Sequence, residues 1–185
     1  MKKSIATVFI TIFAFGVSIA QEMYFTKNGH VDFFSSTPME DIKADNNKVT
    51  SVLNTTTGDI EFSMLIMAFQ FEKSLMQEHF NENYMESSTY PKSSFKGKIT
   101  NFDAVNFKAD GTYPAEVAGK LTIHGVTKDI AAKGTFTVKG GKINAVSSFT
   151  VKPEDYNISI PNLVRDKIAK EIKVNIDNTY EPYVK

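Results

Sequence analysis

The sequence contains no cysteine and no tryptophan among its 185 residues. Without cysteine, the chain can form no disulfide and can carry no lipid on an N-terminal cysteine. It also suits a compartment in which free thiols are a liability. No single sign of charge dominates, since 21 basic residues balance 21 acidic ones. This balance argues against a partner that is a nucleic acid and against electrostatic attachment to an anionic membrane.

Catalytic and metal-binding signatures are also missing. The three histidines, His30, His79 and His124, lie in different segments, and the sequence contains no HExxH or G-x-S-x-G motif and no glycine-rich phosphate loop. Glu78 and His79 are adjacent and suited to acid–base work, but no nucleophile motif accompanies them. We therefore predict no catalytic residue, no metal ligand and no enzymatic activity, and we interpret His124 as a residue of a hairpin turn.

The N-terminus has the features of a signal peptide. Lys2 and Lys3 precede an apolar run from Ile5 to Val17, and small residues follow at Ser18 and Ala20. A membrane anchor is the alternative, but the apolar run is too short to span a bilayer comfortably. We predict a signal peptide over 1–20 and one mature domain over 21–185. The mature protein would have no transmembrane segment and would be periplasmic or secreted by a bacterium.

From Phe95 onward, apolar and polar residues alternate as in half-buried antiparallel strands. Phe95, Gly97 and Ile99 share one parity, which Val105 and Phe107 resume after a polar interruption. Turns are predicted at 110–111 and 140–141 from their Asp-Gly and Gly-Gly pairs. The second turn sets Val138 against Ile143, Phe136 against Ala145 and Ala132 against Phe149.

The segment Gly119 to Lys128 predicts a further hairpin. A type II′ turn at Gly125-Val126 would set Leu121 opposite Ile130, so that apolar residues face each other. A turn at His124-Gly125 would instead set Leu121 against Lys128. We prefer the first turn because it keeps Leu121 against an apolar partner.

The N-terminal half predicts shorter strands. These lie near 23–25 and 30–34, in a polar pair of segments within 42–53, and over an alternating stretch at 59–71. About eight strands with short turns indicate a sandwich or an up-and-down barrel. The segment Gln77 to Ser87 breaks this rhythm and is either a helical insertion, with Phe80 and Tyr84 on one face, or a long loop.

Methionine and aromatic residues concentrate between Ile60 and Met85. Four of the seven methionines lie there, among Phe62, Phe69, Phe71, Phe80 and Tyr84. Unbranched thioether side chains adapt to irregular shapes and suit a cavity for a flexible apolar ligand. Composition alone leaves open whether these residues line a cavity or fill an ordinary core.

Four motifs resemble the YceI-like, polyisoprenoid-binding family of lipocalin-like barrels. They are GKLTIHGVTKDI from Gly119 to Ile130, then His79-Phe80 followed by Tyr90-Pro91 and Phe95, then Asp155 to Ile158, and finally Ile172 to Ile176. The chain departs from the family pattern in two places. It lacks the tryptophan that often begins the first strand, and Gln77-Glu78 replaces the Arg-Asp pair common before the histidine.

The resemblance implies an all-β fold, an extended eight-stranded antiparallel lipocalin-like barrel with a short helical insertion. It also implies an apolar tunnel that holds an isoprenoid or fatty-acyl lipid, with no other cofactor. We therefore expect an exported, non-enzymatic carrier whose ligand-binding residues are Phe62, Met64, Ile66, Phe80, Tyr84, Met85 and Phe95. A homodimer stays open. The alternative is a stress-related or protein-interaction barrel with a side-chain-filled core and no lipid.

Overall fold

Alternating apolar and polar residues build eight long strands and one short one in the computed structural model, which describes residues 22–183. The strands are β1 Met23–Ser36, β2 Asp41–Asn54, β3 Asp59–Leu65, β4 Gln70–Phe71, β5 Lys92–Ile99, β6 Gly111–Ile123, β7 Val126–Lys139, β8 Lys142–Val151 and β9 Ile172–Pro182. An α-helix, α1, covers Ser74–His79 and continues as a π-helical turn over Phe80–Tyr84. Short 3-10 turns cover Ile66–Ala68, Phe102–Ala104, Pro153–Tyr156 and Asn162–Lys167.

The eight long strands close into an antiparallel barrel. Each is hydrogen-bonded to its neighbours in the order β1-β2-β3-β5-β6-β7-β8-β9, and β1 closes the ring by pairing with both β2 and β9. The two-residue β4 adds to the free part of β2. Closure pairs most of each strand around the ring, which is how barrels avoid edge-to-edge association, and the main exception among the described residues is β7 before Gly134, which has no partner on β8. The predicted eight-stranded barrel with a helical insertion is confirmed.

The two N-terminal strands are longer than the pattern predicts. The segments at 23–25 and 30–34 belong to one strand, because a bulge between Thr26 and Val31 shifts the register and resets the alternation. Gly29 lies in that bulge, where a Cβ would collide with the side chain of Asn178 on β9. The polar segments within 42–53 are likewise one strand, β2.

Two other local expectations are wrong. The strand over 59–71 ends at Leu65, so Ile66 lies in a 3-10 turn and not on the sheet. Val105 and Phe107 do not continue β5. They follow the 3-10 turn at Phe102–Ala104 and enter the interior from a loop, where the Phe107 ring packs edge-on against Phe136 at 5.3 Å. Val105 and Phe107 are buried apolar loop residues whose odd-numbered positions match the parity of β5 by chance.

The β6–β7 hairpin uses the other of the two turns considered from the sequence. Ile123 pairs with Val126 and Leu121 with Lys128, so His124 and Gly125 are the two turn residues and the register built on Gly125-Val126 is wrong. His124 and Gly125 both have positive φ, 50° and 73°, as a type I′ turn requires. Lys128 does face inward, but this end of the barrel is open and its side chain is exposed. The objection to placing lysine opposite Leu121 therefore fails.

The turn at Gly140-Gly141 is as predicted over its first pairs. Val138 pairs with Ile143 and Phe136 with Ala145. The ladder between β7 and β8 then stops at Gly134 and Ser147, so the expected pairing of Ala132 with Phe149 does not form. This separation of two neighbouring strands positions the functional site.

The barrel interior has two unlike halves. At the end holding both chain termini of the described region, apolar side chains from all sides interlock into a packed core. Its members are Leu53, Ile60, Ile99, Val105, Phe107, Ala115, Phe136, Val138, Ile143, Ala145 and Tyr180. At the opposite end, where the β6–β7 turn lies, the side chains leave space. We call these ends the packed half and the open half.

Candidate functional site

A cavity of about 590 Å³ occupies the open half. This volume lies within the range of roughly 300–1,000 Å³ typical of small-molecule sites. Its wall is overwhelmingly apolar and is built by side chains from the inward faces of the strands, from α1 and from the β8–β9 connection. All seven residues predicted as ligand-binding lie on this wall, namely Phe62, Met64, Ile66, Phe80, Tyr84, Met85 and Phe95. Their contact with a ligand stays a prediction.

Phe62 and Phe95 are wall residues that pack against the packed half. They are directly opposed on β3 and β5, with ring centroids 6.1 Å apart in an edge-on arrangement. Met64 follows two residues after Phe62 on the same face and is half-buried, whereas Ile66 is only 2% exposed. The cavity therefore has a rigid aromatic floor and an adaptable thioether beside it.

The helical insertion adds an aromatic cluster to the wall. Phe80 lies among three rings, with centroid distances of 5.4 Å to Phe33, 5.6 Å to Phe69 and 5.0 Å to Phe71. The π-helical turn that follows brings Tyr84 and Met85 to the same side. Phe33 was missed by sequence reasoning, although it lies two residues from both Val31 and Ser35 on β1 and so shares their inward face.

β7 and β8 separate beside the cavity. Beyond Gly134 and Ser147, residues 126–133 of β7 and 148–151 of β8 make no ladder with each other. The long β8–β9 connection covers this region, and its Ile158, Val164 and Ile168 belong to the wall. Sequence reasoning missed these three because the connection lacks any strand or helix periodicity.

Charged side chains gather on the wall only toward the surface. Lys73 Nζ lies 3.6 Å from Glu40 Oε1, and both line the cavity together with His79 and Lys167. Lys73, His79 and Lys167 are exposed to solvent. The site therefore offers an apolar interior and a charged rim, which is the distribution that suits an amphipathic molecule.

His124 ties the loops of the open half together. The N–H at Nδ1 donates to the carbonyl oxygen of Tyr156 at 3.1 Å, and the ring packs against Tyr90 with centroids 4.4 Å apart. Its Nε2 lies 3.4 Å from Glu86 Oε1. The side chain is buried although its backbone forms a turn. His124 is thus a turn residue, as predicted, and also a link between the β6–β7 hairpin and the β8–β9 connection.

A family comparison agrees with this geometry. The model of the YceI-like domain matches residues 6–180, nearly the whole sequence. This chain belongs to the YceI-like family. The match begins inside the segment interpreted as a signal peptide, so it does not test cleavage after Ala20, which lies outside the described residues. No curated protein matches the chain.

Solved structures share the YceI-like fold at low sequence identity. A polyisoprenoid-binding domain from Saccharophagus degradans, implicated in plant cell wall breakdown, has a TM-score of 0.76 and 14% identity, covering 88% of this chain and 99% of that one. BcnA from Burkholderia cenocepacia has a TM-score of 0.68 and 14% identity over 82% and 95% of the two chains. The YCEI protein of Campylobacter jejuni has a TM-score of 0.55 and 15% identity, with full coverage of both. These similarities establish the fold.

Three serine hydroxyl groups on the wall of this YceI-like cavity are engaged with the backbone. Ser93 Oγ donates to the carbonyl of Thr122 at 2.8 Å, and Ser147 Oγ donates to that of Lys133 at 2.8 Å. Ser35 Oγ accepts from the N–H of Ala169 at 2.9 Å, which fastens the β8–β9 connection to β1. A serine nucleophile requires a neighbouring base instead. These three serines therefore shape the wall and hold its covering segment.

One buried polar group distinguishes the packed half of the barrel. Tyr180 is fully buried, and because Ser51 Oγ donates to the carbonyl of Glu61, the Tyr180 hydroxyl donates to Ser51 Oγ at 2.8 Å. Burial raises the pKa of Tyr180 well above its ordinary value, an effect only partly offset by the hydrogen bond with Ser51. The hydroxyl is therefore neutral at physiological pH and acts as a structural group beneath the cavity.

Between residues 22 and 183, no helix has the length and apolar character needed to cross a membrane.

Proposed function

We propose that this YceI-like protein is an exported, non-enzymatic carrier that holds the apolar tail of a long isoprenoid or fatty-acyl lipid in the cavity of the open half. The observation that carries the proposal is the 590 Å³ cavity with an apolar wall, bounded at one end by the packed half and lying beside the separation of β7 and β8. The Saccharophagus degradans domain, which shares this fold, is a polyisoprenoid-binding domain, and this supports the same ligand class here.

The binding energy would come from the tail. Burial of apolar surface contributes about 25 cal/mol per Å², so each ~60 Å² of tail that leaves water strengthens binding about tenfold. A flexible tail loses conformational freedom on binding, and the methionine-containing wall can adapt to it without a single fixed shape.

The charged rim suits the polar end of such a lipid. Lys73, already paired with Glu40, and Lys167 lie at the surface end of the wall. A polar head group can remain hydrated there while its tail enters the apolar interior. The lipid would accordingly enter tail first.

Localisation follows from the N-terminal segment alone. The basic, apolar and small-residue pattern of residues 1–20 supports export to the periplasm or the medium. A carrier in that compartment would shield lipid tails from water between membranes. A homodimer stays a prediction.

The alternative of a barrel filled throughout by side chains fits only the packed half. The two functions are separated by a pair of substitutions at neighbouring positions on β7. Ala132 lies on the cavity wall, whereas Ala131 is exposed on the outer face. Ala132→Phe places a ring in the space for the tail, and Ala131→Phe places the same ring in solvent.

The experiment is native mass spectrometry of each purified protein, followed by delipidation and titration with a polyprenyl or fatty-acyl probe. We expect the wild type and Ala131→Phe to retain lipid, and Ala132→Phe to bind the probe about tenfold or more weakly, since the ring displaces at least ~60 Å² of tail contact. Wild-type protein that binds neither probe at micromolar concentration would contradict the carrier function. So would equal binding by the two variants.

A further inference from the structure

Three potential metal ligands meet on the outer surface of the barrel, away from the cavity. His30 and Asp32 alternate on β1 with the inward-facing Val31 and Phe33. Asp45 on β2 is the direct cross-strand partner of Asp32. One atom from each of these side chains lies within 4.8 Å of the others. Sequence reasoning expected no metal ligand because His30 and Asp45 are far apart in the chain and only strand pairing brings them together.

The distances match the spacing of ligands around a small cation. His30 Nε2 lies 3.3 Å from Asp32 Oδ1 and 3.5 Å from Asp45 Oδ1. A tetrahedral Zn²⁺ ion with bonds of about 2.0–2.1 Å places its ligand atoms ~3.3–3.4 Å apart. Both distances from His30 therefore already match the spacing around one ion, and the two carboxylate oxygens lie within 4.8 Å of each other.

Outer hydrogen bonds orient two of the three ligands. His30 Nδ1 lies 2.8 Å from Asn47 Oδ1, so its N–H donates to that amide oxygen and leaves the lone pair of Nε2 directed at the two carboxylates. Asn175 Nδ2 donates to Asp32 Oδ2 at 2.7 Å, while Asn175 Oδ1 accepts from Ser148 Oγ at 3.0 Å. Metal-binding histidines and carboxylates are commonly held by partners of this kind.

The local charges leave an attractive position for a cation. Asp32 and Asp45 face each other across two strands, an arrangement that costs free energy when both are ionised. A third carboxylate, Asp177 on β9, is the cross-strand partner of His30. The nearby cation is Lys43, whose Nζ lies 3.1 Å from Asp45 Oδ1. The Lys43 side chain is 57% exposed and is free to swing into solvent when a metal takes its place.

We propose that His30, Asp32 and Asp45 bind a divalent transition-metal ion such as Zn²⁺ on the outer surface of the barrel. One nitrogen and two carboxylate oxygens are ligands that this class of ion accepts, and three protein ligands leave a fourth position for water or for a group from outside. The site is separate from the lipid cavity, because its three ligands project from the outer face of β1 and β2 and the cavity lies on the inner face.

The experiment is calorimetric titration of tag-free protein with Zn²⁺ at about pH 7.5, where an ordinary histidine is neutral. We expect one ion per chain and a rise in melting temperature on adding Zn²⁺, since the folded state alone assembles the ligands. His30→Ala and Asp45→Asn should each weaken binding by about tenfold or more. Asp129→Asn, an exposed aspartate on the β6–β7 hairpin, should bind as the wild type does.

Two further arms distinguish this metal site from a simple ion pair and from binding elsewhere on the chain. Binding should weaken at about pH 5.5, because protons compete with a metal ion for imidazole ligands in general. The wild type failing to bind Zn²⁺ would show that the contacts of His30 with Asp32 and Asp45 are structural only. Binding that survives in His30→Ala but is lost in His79→Ala, the exposed histidine at the end of α1, would place the ion elsewhere. Either result would overturn the proposal.

Discussion

The division of the barrel into a packed half and an open half predicts that the same substitution has unequal effects on two neighbouring strands. Ile143 on β8 is fully buried, between Val138 and Tyr180 on the flanking strands. Ile130 on β7 is half-buried and faces the cavity. Replacing each with alanine removes the same three carbon atoms, so the difference between the two variants reports on packing alone.

The magnitudes follow from the surroundings. For Ile143→Ala, three carbons at about 0.8 kcal/mol each, plus a term for the void left behind, give a loss of roughly 3–4 kcal/mol in the free energy of unfolding. At ~2–4 °C per kcal/mol, the melting temperature should fall by roughly 6–16 °C. Ile130→Ala only enlarges an existing cavity and opens no void in a packed region. The free energy of unfolding should therefore fall by about 1 kcal/mol or less.

Urea and thermal unfolding of delipidated protein, followed by circular dichroism, measures both values. Delipidation matters because a bound ligand stabilises the folded state by mass action and would mask the difference. Lipid retention should show the reverse order, with Ile130→Ala weakened and Ile143→Ala close to wild type among the folded molecules. Equal losses of stability in the two variants would refute the division into a packed and an open half.

Three further predictions test the turn, the loop contact and the buried phenol. Gly125→Ala should destabilise the protein by more than about 1 kcal/mol and by more than Gly140→Ala in urea unfolding, because both positions have positive φ but only at Gly125 would a Cβ meet a side chain, Tyr90 at 2.6 Å. Similar losses for the two glycines would argue against this packing. His124→Asn keeps a residue that tolerates positive φ in the turn but removes the imidazole ring that contacts Tyr156. Backbone amide hydrogen exchange should therefore accelerate in residues 153–160 of the β8–β9 connection. Unchanged exchange there would show that the ring does not hold the connection in place. The raised pKa keeps Tyr180 protonated in the folded state at pH values above 10, where the same tyrosine in the unfolded chain ionises. The contribution of Tyr180 to the free energy of unfolding is therefore complete below about pH 10 and falls by about 1.4 kcal/mol per pH unit above it. Tyr180→Phe should remove this part of the slope, and an identical slope in the variant would contradict it.

Most of the strand pattern follows from the sequence because a strand repeats every two residues. From β5 to β9 most inward residues are apolar, and the β6–β7 and β7–β8 turns carry glycine, so alternation and turn chemistry largely agree locally. The methionine and aromatic residues between Ile60 and Met85 suited an adaptable apolar surface by their type, but only the family resemblance turned this into the expectation of a cavity wall.

The register of the β6–β7 hairpin could not be decided locally. Both candidate turns contain Gly125, and local pairing favoured the one that matches Leu121 with Ile130. The actual turn holds His124 at positive φ because its ring reaches Tyr90 and the Tyr156 carbonyl, both remote in sequence. Contacts of this kind exist only after the barrel has closed.

What the sequence by itself determined was therefore the class of fold, the inward face of most strands and the chemical character of the cavity wall, because these depend on the period and type of neighbouring residues. The tertiary structure alone decided where β7 and β8 separate, how the β8–β9 connection covers that separation, and that His30 meets Asp32 and Asp45. Each of these depends on which strands become neighbours, and strand pairing joins residues that no local spacing relates.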